Sequence, residues 1–119
     1  MRGEQGKYIT GLFKDKYIEE IRRIDLRTVL WNKQQICSED GNLYDAEYYL
    51  LIEEIRTGDH IFCENYGVKI CISDGVQSES LAIPRITPSA ERATSLLDAL
   101  SRNFVTPVSL PDILEDWLA

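Results

Sequence analysis

A chain of 119 residues has the size of one domain and buries enough surface to fold without metals or disulfides. Its 44% apolar and 28% charged residues are ordinary for a globular protein and exclude disorder of the whole chain. A net charge of −7 repels phosphate backbones and disfavours nucleic-acid binding by the body of the domain.

The charge is unevenly spread. Residues 1–36 hold 8 Lys/Arg against 5 Asp/Glu, whereas residues 37–119 hold 5 against 15. The plain reading sets the basic N-terminal segment against the acidic remainder of its own chain or of a second copy. The sharper alternative is a small nucleic-acid-binding arm. No apolar run approaches the roughly 18 residues of a membrane span. No apolar stretch follows Met1–Lys7, so a secretory signal is not expected. Cys37, Cys63 and Cys71 cannot all pair with one another, and none sits in a CxxC. The expectation is three reduced thiols in a cytoplasmic protein, with no membrane contact.

The first element expected is an amphipathic helix near residues 9–24. Ile9, Leu12, Phe13, Tyr17, Ile18, Ile21 and Ile24 recur at helical spacing, with charges largely on the other faces. Gly11 weakens its first turn and moves the start toward Lys14. Residues 27–37 are ambiguous: Thr28, Val29 and Trp31 carry strand propensity without clean alternation. Ser38–Asn42 reads as a turn, because Asp40-Gly41 favours positive φ at the glycine.

Two strands follow, Asp45 to Ile55 and Ile61 to Ser73, joined by a Gly-containing hairpin at residues 56–59. On the first, Ala46, Tyr48, Leu50 and Ile52 share one face, and Tyr49, Leu51 and Ile55 share the other. On the second, Phe62, Tyr66, Val68, Ile70 and Ile72 are read onto one face, and Ile61, Cys63, Asn65, Gly67, Lys69, Cys71 and Ser73 onto the other. Gly67 inside the run implies a bulge or a close backbone approach. After a turn at Asp74-Gly75, a shorter strand runs from about Gln77 to Ile83, and Pro84 ends it.

The C-terminal third carries the strongest helical pattern. Thr87-Pro88 reads as N-cap and first-turn proline of a helix over 88–103, with Ala90, Ala93, Leu96, Leu97, Leu100 and Phe104 on its stripe. Thr106-Pro107 breaks it. Ser109, with Asp112 three residues later, reads as a capping-box variant opening a second helix. Its stripe is Leu110, Ile113, Leu114, Trp117 and Leu118.

No constellation for catalysis stands out. His60 is a lone histidine beside a turn, and strand geometry points it away from Cys63, so a Cys–His nucleophile is not expected. The paired carboxylates Glu19-Glu20, Glu39-Asp40, Glu53-Glu54 and Glu115-Asp116 read as solvated faces. Ser38–Asn42 lacks the alternating ligands of a calcium loop. Phosphate-binding glycine loops, GxSxG and HExxH are absent from the sequence. Catalytic residues, cofactor and metal ligands are therefore all read as none. Tyr48, Tyr49 and Tyr66 are aromatics with polar tips, suited to an interface or a pocket. With Leu51, Gly67 and Trp117 they form the candidate interaction or pocket set. The first strand is apolar on both faces, which an antiparallel sheet open to water on one side is not. Something must cover each face: the C-terminal helices one, the N-terminal helix or a second subunit the other.

From Tyr48 to the C-terminus the chain resembles a family of short uncharacterised Firmicute proteins, the domain of unknown function 6514. The carrying segments are Tyr48–Leu51, Tyr66–Ile70, Ile83–Thr87 and, most specifically, Val105–Leu118. The resemblance implies a small cytosolic bacterial protein and supplies no activity or ligand.

The fold expected is α+β: an antiparallel sheet of three to four strands packed by two C-terminal helices, with an N-terminal amphipathic helix. Within one domain, 1–36 is expected to be a basic helical segment, 37–84 the sheet and 85–119 a two-helix cap. The function expected is a non-enzymatic protein-interaction or regulatory module, with a protein partner or self-association. The alternative is a small-molecule-binding domain or enzyme with a pocket between sheet and helices.

Overall fold

A computed structural model describes residues 23–58 and 60–119. Four strands come first: β1 (Arg23–Cys37), β2 (Leu43–Thr57), β3 (His60–Ser73) and β4 (Ser78–Thr87). Two helices follow, α1 (Ala90–Arg102) and α2 (Leu110–Leu118). The strands form one antiparallel sheet in the order β1-β2-β3-β4, each paired to the next in sequence. The expected α+β class with an antiparallel sheet is present.

The N-terminal helix near residues 9–24 lies outside the described residues except at its last two positions. Those two, Arg23 and Ile24, belong to β1. The sheet therefore starts at Arg23 and not at residue 37, and residues 23–36 are not helical. The reason is local. Arg23-Ile24-Asp25-Leu26-Arg27 alternates with period 2, and its partners across the ladder are Arg56 to Ile52. The turn at Ser38–Asn42 forms as expected: Gly41 has φ +85 and its N–H donates to the Ser38 carbonyl at 3.0 Å.

Three irregularities shape the sheet. In β1 the pairing passes over Trp31, between Leu30↔Tyr49 and Asn32↔Tyr48. Near the β2–β3 hairpin it slips between Ile55↔Cys63 and Arg56↔Ile61. In β4, Pro84, Arg85 and Ile86 all lie between the pairs Val68↔Ile83 and Tyr66↔Thr87. Pro84 thus does not end the strand. It opens a bulge in an edge strand, where a missing N–H is tolerated, and the strand resumes at Thr87.

The first helix starts later than expected, and the second starts after Ser109 as expected but without its side-chain cap. Ser89, not Thr87, caps α1: its Oγ accepts from the Arg92 N–H at 3.1 Å. Thr87 remains in β4 and its Oγ1 accepts from the Ser89 N–H at 3.1 Å. Ser109 precedes α2 but makes no side-chain cap. Its hydroxyl turns back onto Thr106 instead, 3.3 Å from both the Thr106 carbonyl and the Thr106 hydroxyl.

The buried cluster joins one face of the sheet to the C-terminal third. Ala46, Tyr48 and Leu50 of β2 and Tyr66, Val68 and Ile70 of β3 meet Ala93, Leu96, Leu97 and Leu100 of α1. Val105 and, from α2, Leu110 and Leu114 belong to the same cluster. Of the apolar set read for this face of β2, Ala46, Tyr48 and Leu50 are buried and Ile52 packs against them half-buried. Each fully buried aliphatic side chain is worth about 1.5–3 kcal/mol, so this cluster holds the molecule together. The Tyr48 hydroxyl, buried at the same place, donates to the Val105 carbonyl at 2.9 Å. Strands of 15 residues extend for roughly 50 Å, whereas the 13 residues of α1 span about 20 Å. The helices cannot cover the whole sheet.

Candidate interaction surface

The part left uncovered follows from the register. Side chains alternate along each strand, so Ala46, Tyr48, Leu50 and Ile52 define the helix side. On the opposite, open side stand Tyr49, Leu51, Glu53 and Ile55 of β2. Their β1 partners are Leu30, Thr28, Leu26 and Ile24, and their β3 partners are Lys69, Gly67, Asn65 and Cys63.

The two sides exchange character along the sheet. Under α1 the helix side is apolar and buried. Toward the β2–β3 hairpin the helix side becomes ionic. Arg56 reaches Asp25 at 3.1 Å and Glu54 at 3.2 Å, and Arg27 lies 3.8 Å from Glu54. Tyr66 closes this lattice by donating to Glu64 at 2.6 Å. That bond holds the Tyr66 hydroxyl pKa above its ordinary value, because ionisation would set two anions together. At this end the apolar residues lie on the open side. Leu26 is 72% exposed, Ile24 56% and Leu30 51%. Half-buried Leu51 and Ile55 lie beside them.

The β4 bulge borders this surface. A Cβ on Gly67 would overlap the Ile83 carbonyl oxygen and come within 2.6 Å of the Pro84 Cα. The sequence reading of Gly67 as a close backbone approach is the geometry found. Arg85, with φ +56, sends its Nε to both oxygens of the buried Glu53 carboxylate at 3.0 Å. That contact raises the Arg85 pKa further. Leu26, Thr28, Leu51, Asn65, Pro84 and Arg85 line a depression of about 160 Å³ here. Farther along the open side the surface turns polar. Tyr49 donates to Glu47 at 2.6 Å, Lys33 lies 3.8 Å from Glu47, and the Lys69 ammonium stands 5.6 Å from the Tyr49 ring centre.

The six candidate residues therefore do not converge. Tyr48 and Tyr66 are buried on the helix side. Tyr49, Leu51 and Gly67 belong to the open side. Trp117 is apart from both: it is half-buried at the end of α2, with the Arg92 guanidinium 4.6 Å from its ring centre. Sequence reasoning missed Leu26, Leu30 and Arg85, and it read Glu53-Glu54 as a solvated face, whereas both are buried and paired, Glu53 with Arg85 and Glu54 with Arg56. Leu26 was legible from its alternation with Asp25 and Arg27. The Glu53–Arg85 pair, 32 residues apart, carries no local signal.

Among the described residues, no group of three or more His, Cys, Asp or Glu is placed to hold a metal ion, and no helix is long and apolar enough to cross a membrane. Cys37, Cys63 and Cys71 are free thiols.

Residues 27–119 match the sequence model of a family of unknown function, DUF6514. The chain belongs to this family. The DUF6514 match starts at Arg27 and not at Tyr48, so it takes in β1 from Arg27 onward and the whole of β2, β3 and β4, but not the first four residues of β1, 23–26. No match was found among curated proteins or among solved structures.

Proposed function

We propose that this chain is a single-domain, non-enzymatic protein-interaction or regulatory module of the cytoplasm, and that its partner is a second copy of itself. The observation that carries the reading is the apolar stretch of the open side. Leu26, Ile24 and Leu30 stand more than half exposed on the side away from α1, where the two C-terminal helices that cap the sheet do not reach. Such patches mark interaction sites on soluble proteins. A second copy is favoured because, among the described residues, β1 is an edge strand of 15 residues without proline or glycine, the kind of edge that pairs with another chain. The free thiols suit a reducing compartment.

A ligand pocket between sheet and helices has less support. Leu96, Leu97 and Leu100 fill that space against Tyr48, Val68 and Ile70. The depression at Leu26 and Pro84, about 160 Å³, is smaller than the roughly 300–1,000 Å³ of ordinary ligand sites. A wider groove of about 560 Å³ lies at Trp31, Asn32, Asp98, Ser101 and Arg102. Its polar groups already pair with one another, Trp31 with Asp98 at 3.0 Å and Asn32 with Ser101.

Light scattering across a wide concentration range tests the reading. The wild-type chain is expected to reach twice its 13.7 kDa mass, and Leu26→Glu is expected to remain at 13.7 kDa with an unchanged circular dichroism spectrum. A monomer at every concentration overturns it.

A further inference from the structure

We infer that two copies pair edge to edge through β1, antiparallel and centred on Leu26, so that two four-stranded sheets become one of eight strands. The inference rests on the self-association proposed above and specifies its geometry.

Among the described residues, no strand or side-chain bond to α1 occupies the outer edge of β1 over Arg23–Leu30. Among the described residues β1 has a single neighbour, β2, so its outward N–H and C=O groups are unpaired by strands. The side-chain hydrogen bonds from β1 to α1 fall at Trp31, Asn32 and Gln34, beyond the stretch Arg23–Leu30. That stretch is regular, since its pairing with β2 is unbroken until Trp31. The other edge is protected. β4 has 10 residues, contains Pro84 and is bent by the three-residue bulge.

Charge and length then select the register: centres on Ile24 and Thr28 also avoid like charges but engage only three and five residues of the regular stretch, against seven for Leu26. A two-fold axis normal to the sheet keeps each side continuous and places one residue opposite its own copy. Centring on Asp25 sets that carboxylate against itself and Arg23 against Arg27. Centring on Arg27 sets two guanidiniums together. Like charges directly opposite are destabilising. Centring on Leu26 instead places Asp25 opposite Arg27 twice, on the helix side. On the open side it sets Leu26 against Leu26 and Ile24 against Thr28, extending the apolar surface across the junction. Of these registers, those on Leu26 and Arg27 use seven residues of the regular stretch, and only the first is free of like-charge contacts. Asp25 then has a cation on both sides, Arg56 within the chain at 3.1 Å and Arg27 of the second copy.

Disulfide trapping in the otherwise native chain tests the register. Leu26→Cys and Thr28→Cys are both at exposed positions, so neither should prevent folding. In the proposed register the two copies of position 26 are directly opposite, about 4.5–5.5 Å apart between Cα atoms, within disulfide reach. The two copies of position 28 are four residues out of step, roughly 13 Å apart. Under mild oxidation, peptide mapping should find the 26–26 link at least tenfold in excess of the 28–28 link. A dimer in which 28–28 dominates, or in which neither forms, overturns the register and leaves self-association standing. A chain that light scattering shows to be monomeric throughout overturns both.

Discussion

The Ile83–Pro84 backbone passes so close to Gly67 that the position has no room for a side chain, and a Cβ there would stand 2.6 Å from the Pro84 Cα. The contact is what lets three residues of β4 face one residue of β3. It also lays Arg85 across the open side onto Glu53. Gly67→Ala must therefore push backbone against backbone. The expected cost is about 1–3 kcal/mol or more, read as a lower urea midpoint, because overpacking a close-packed site has that scale. Unchanged stability would mean that the bulge moves aside freely.

Tyr48 couples the sheet to the segment between the helices. Its ring is fully buried and its hydroxyl donates to the Val105 carbonyl at 2.9 Å. Burial raises its pKa. Tyr48→Phe keeps the ring and orphans the carbonyl. Equilibrium unfolding should show a loss of about 1–2 kcal/mol, whereas Tyr48→Ala should lose roughly 3–5 kcal/mol.

Alkaline pH should reveal a delayed ionisation of Tyr49. The hydrogen bond to Glu47 is the main cause that pushes its pKa up to about 12. The folded value lies above the unfolded value near 10, so the folded state holds this proton more tightly. The associated stability is complete below pH 10 and is lost as the pH rises toward 12. Beside the delayed ionisation of Tyr48 and Tyr66, tyrosinate absorbance should show a late step of one tyrosine that Tyr49→Phe removes. Its persistence in that variant would assign it elsewhere.

Trp117 should behave as a cover on the core. It is half-buried, packs against the core cluster and stacks with Arg92. Trp117→Ala should cost on the order of 1–3 kcal/mol, less than truncating a fully buried aromatic. Arg92→Ala should shift the tryptophan emission without unfolding the chain.

The sequence made the strands and helices legible wherever one side is buried throughout. β2 reads correctly because Ala46, Tyr48 and Leu50 alternate against a core, and α1 because Leu96, Leu97 and Leu100 repeat at helical spacing. The read failed where pairing partners decide the outcome. Residues 23–30 lack a buried side, so period 2 competed with the helical stripe ending at Ile24. Ile61 changes sides because the pairing slips at Arg56. Pro84 was read as a stop because a bulge over Gly67 depends on a neighbouring strand. The first cap shifted because Thr87 is held in β4, and the second lacks its side-chain bond because Ser109 turns back to Thr106. Of the candidate set, Leu51 and Gly67 lie at the open apolar surface, whereas Tyr48 and Tyr66 have the burial that half-apolar strands commonly give.

The central claim, that β1 is the meeting edge of two copies, is tested most directly by amide hydrogen exchange of the wild-type chain at increasing concentration. Protection should rise at Arg23–Val29 and stay constant in β4. Exchange in β1 that does not change with concentration, while the mass remains 13.7 kDa, would contradict it.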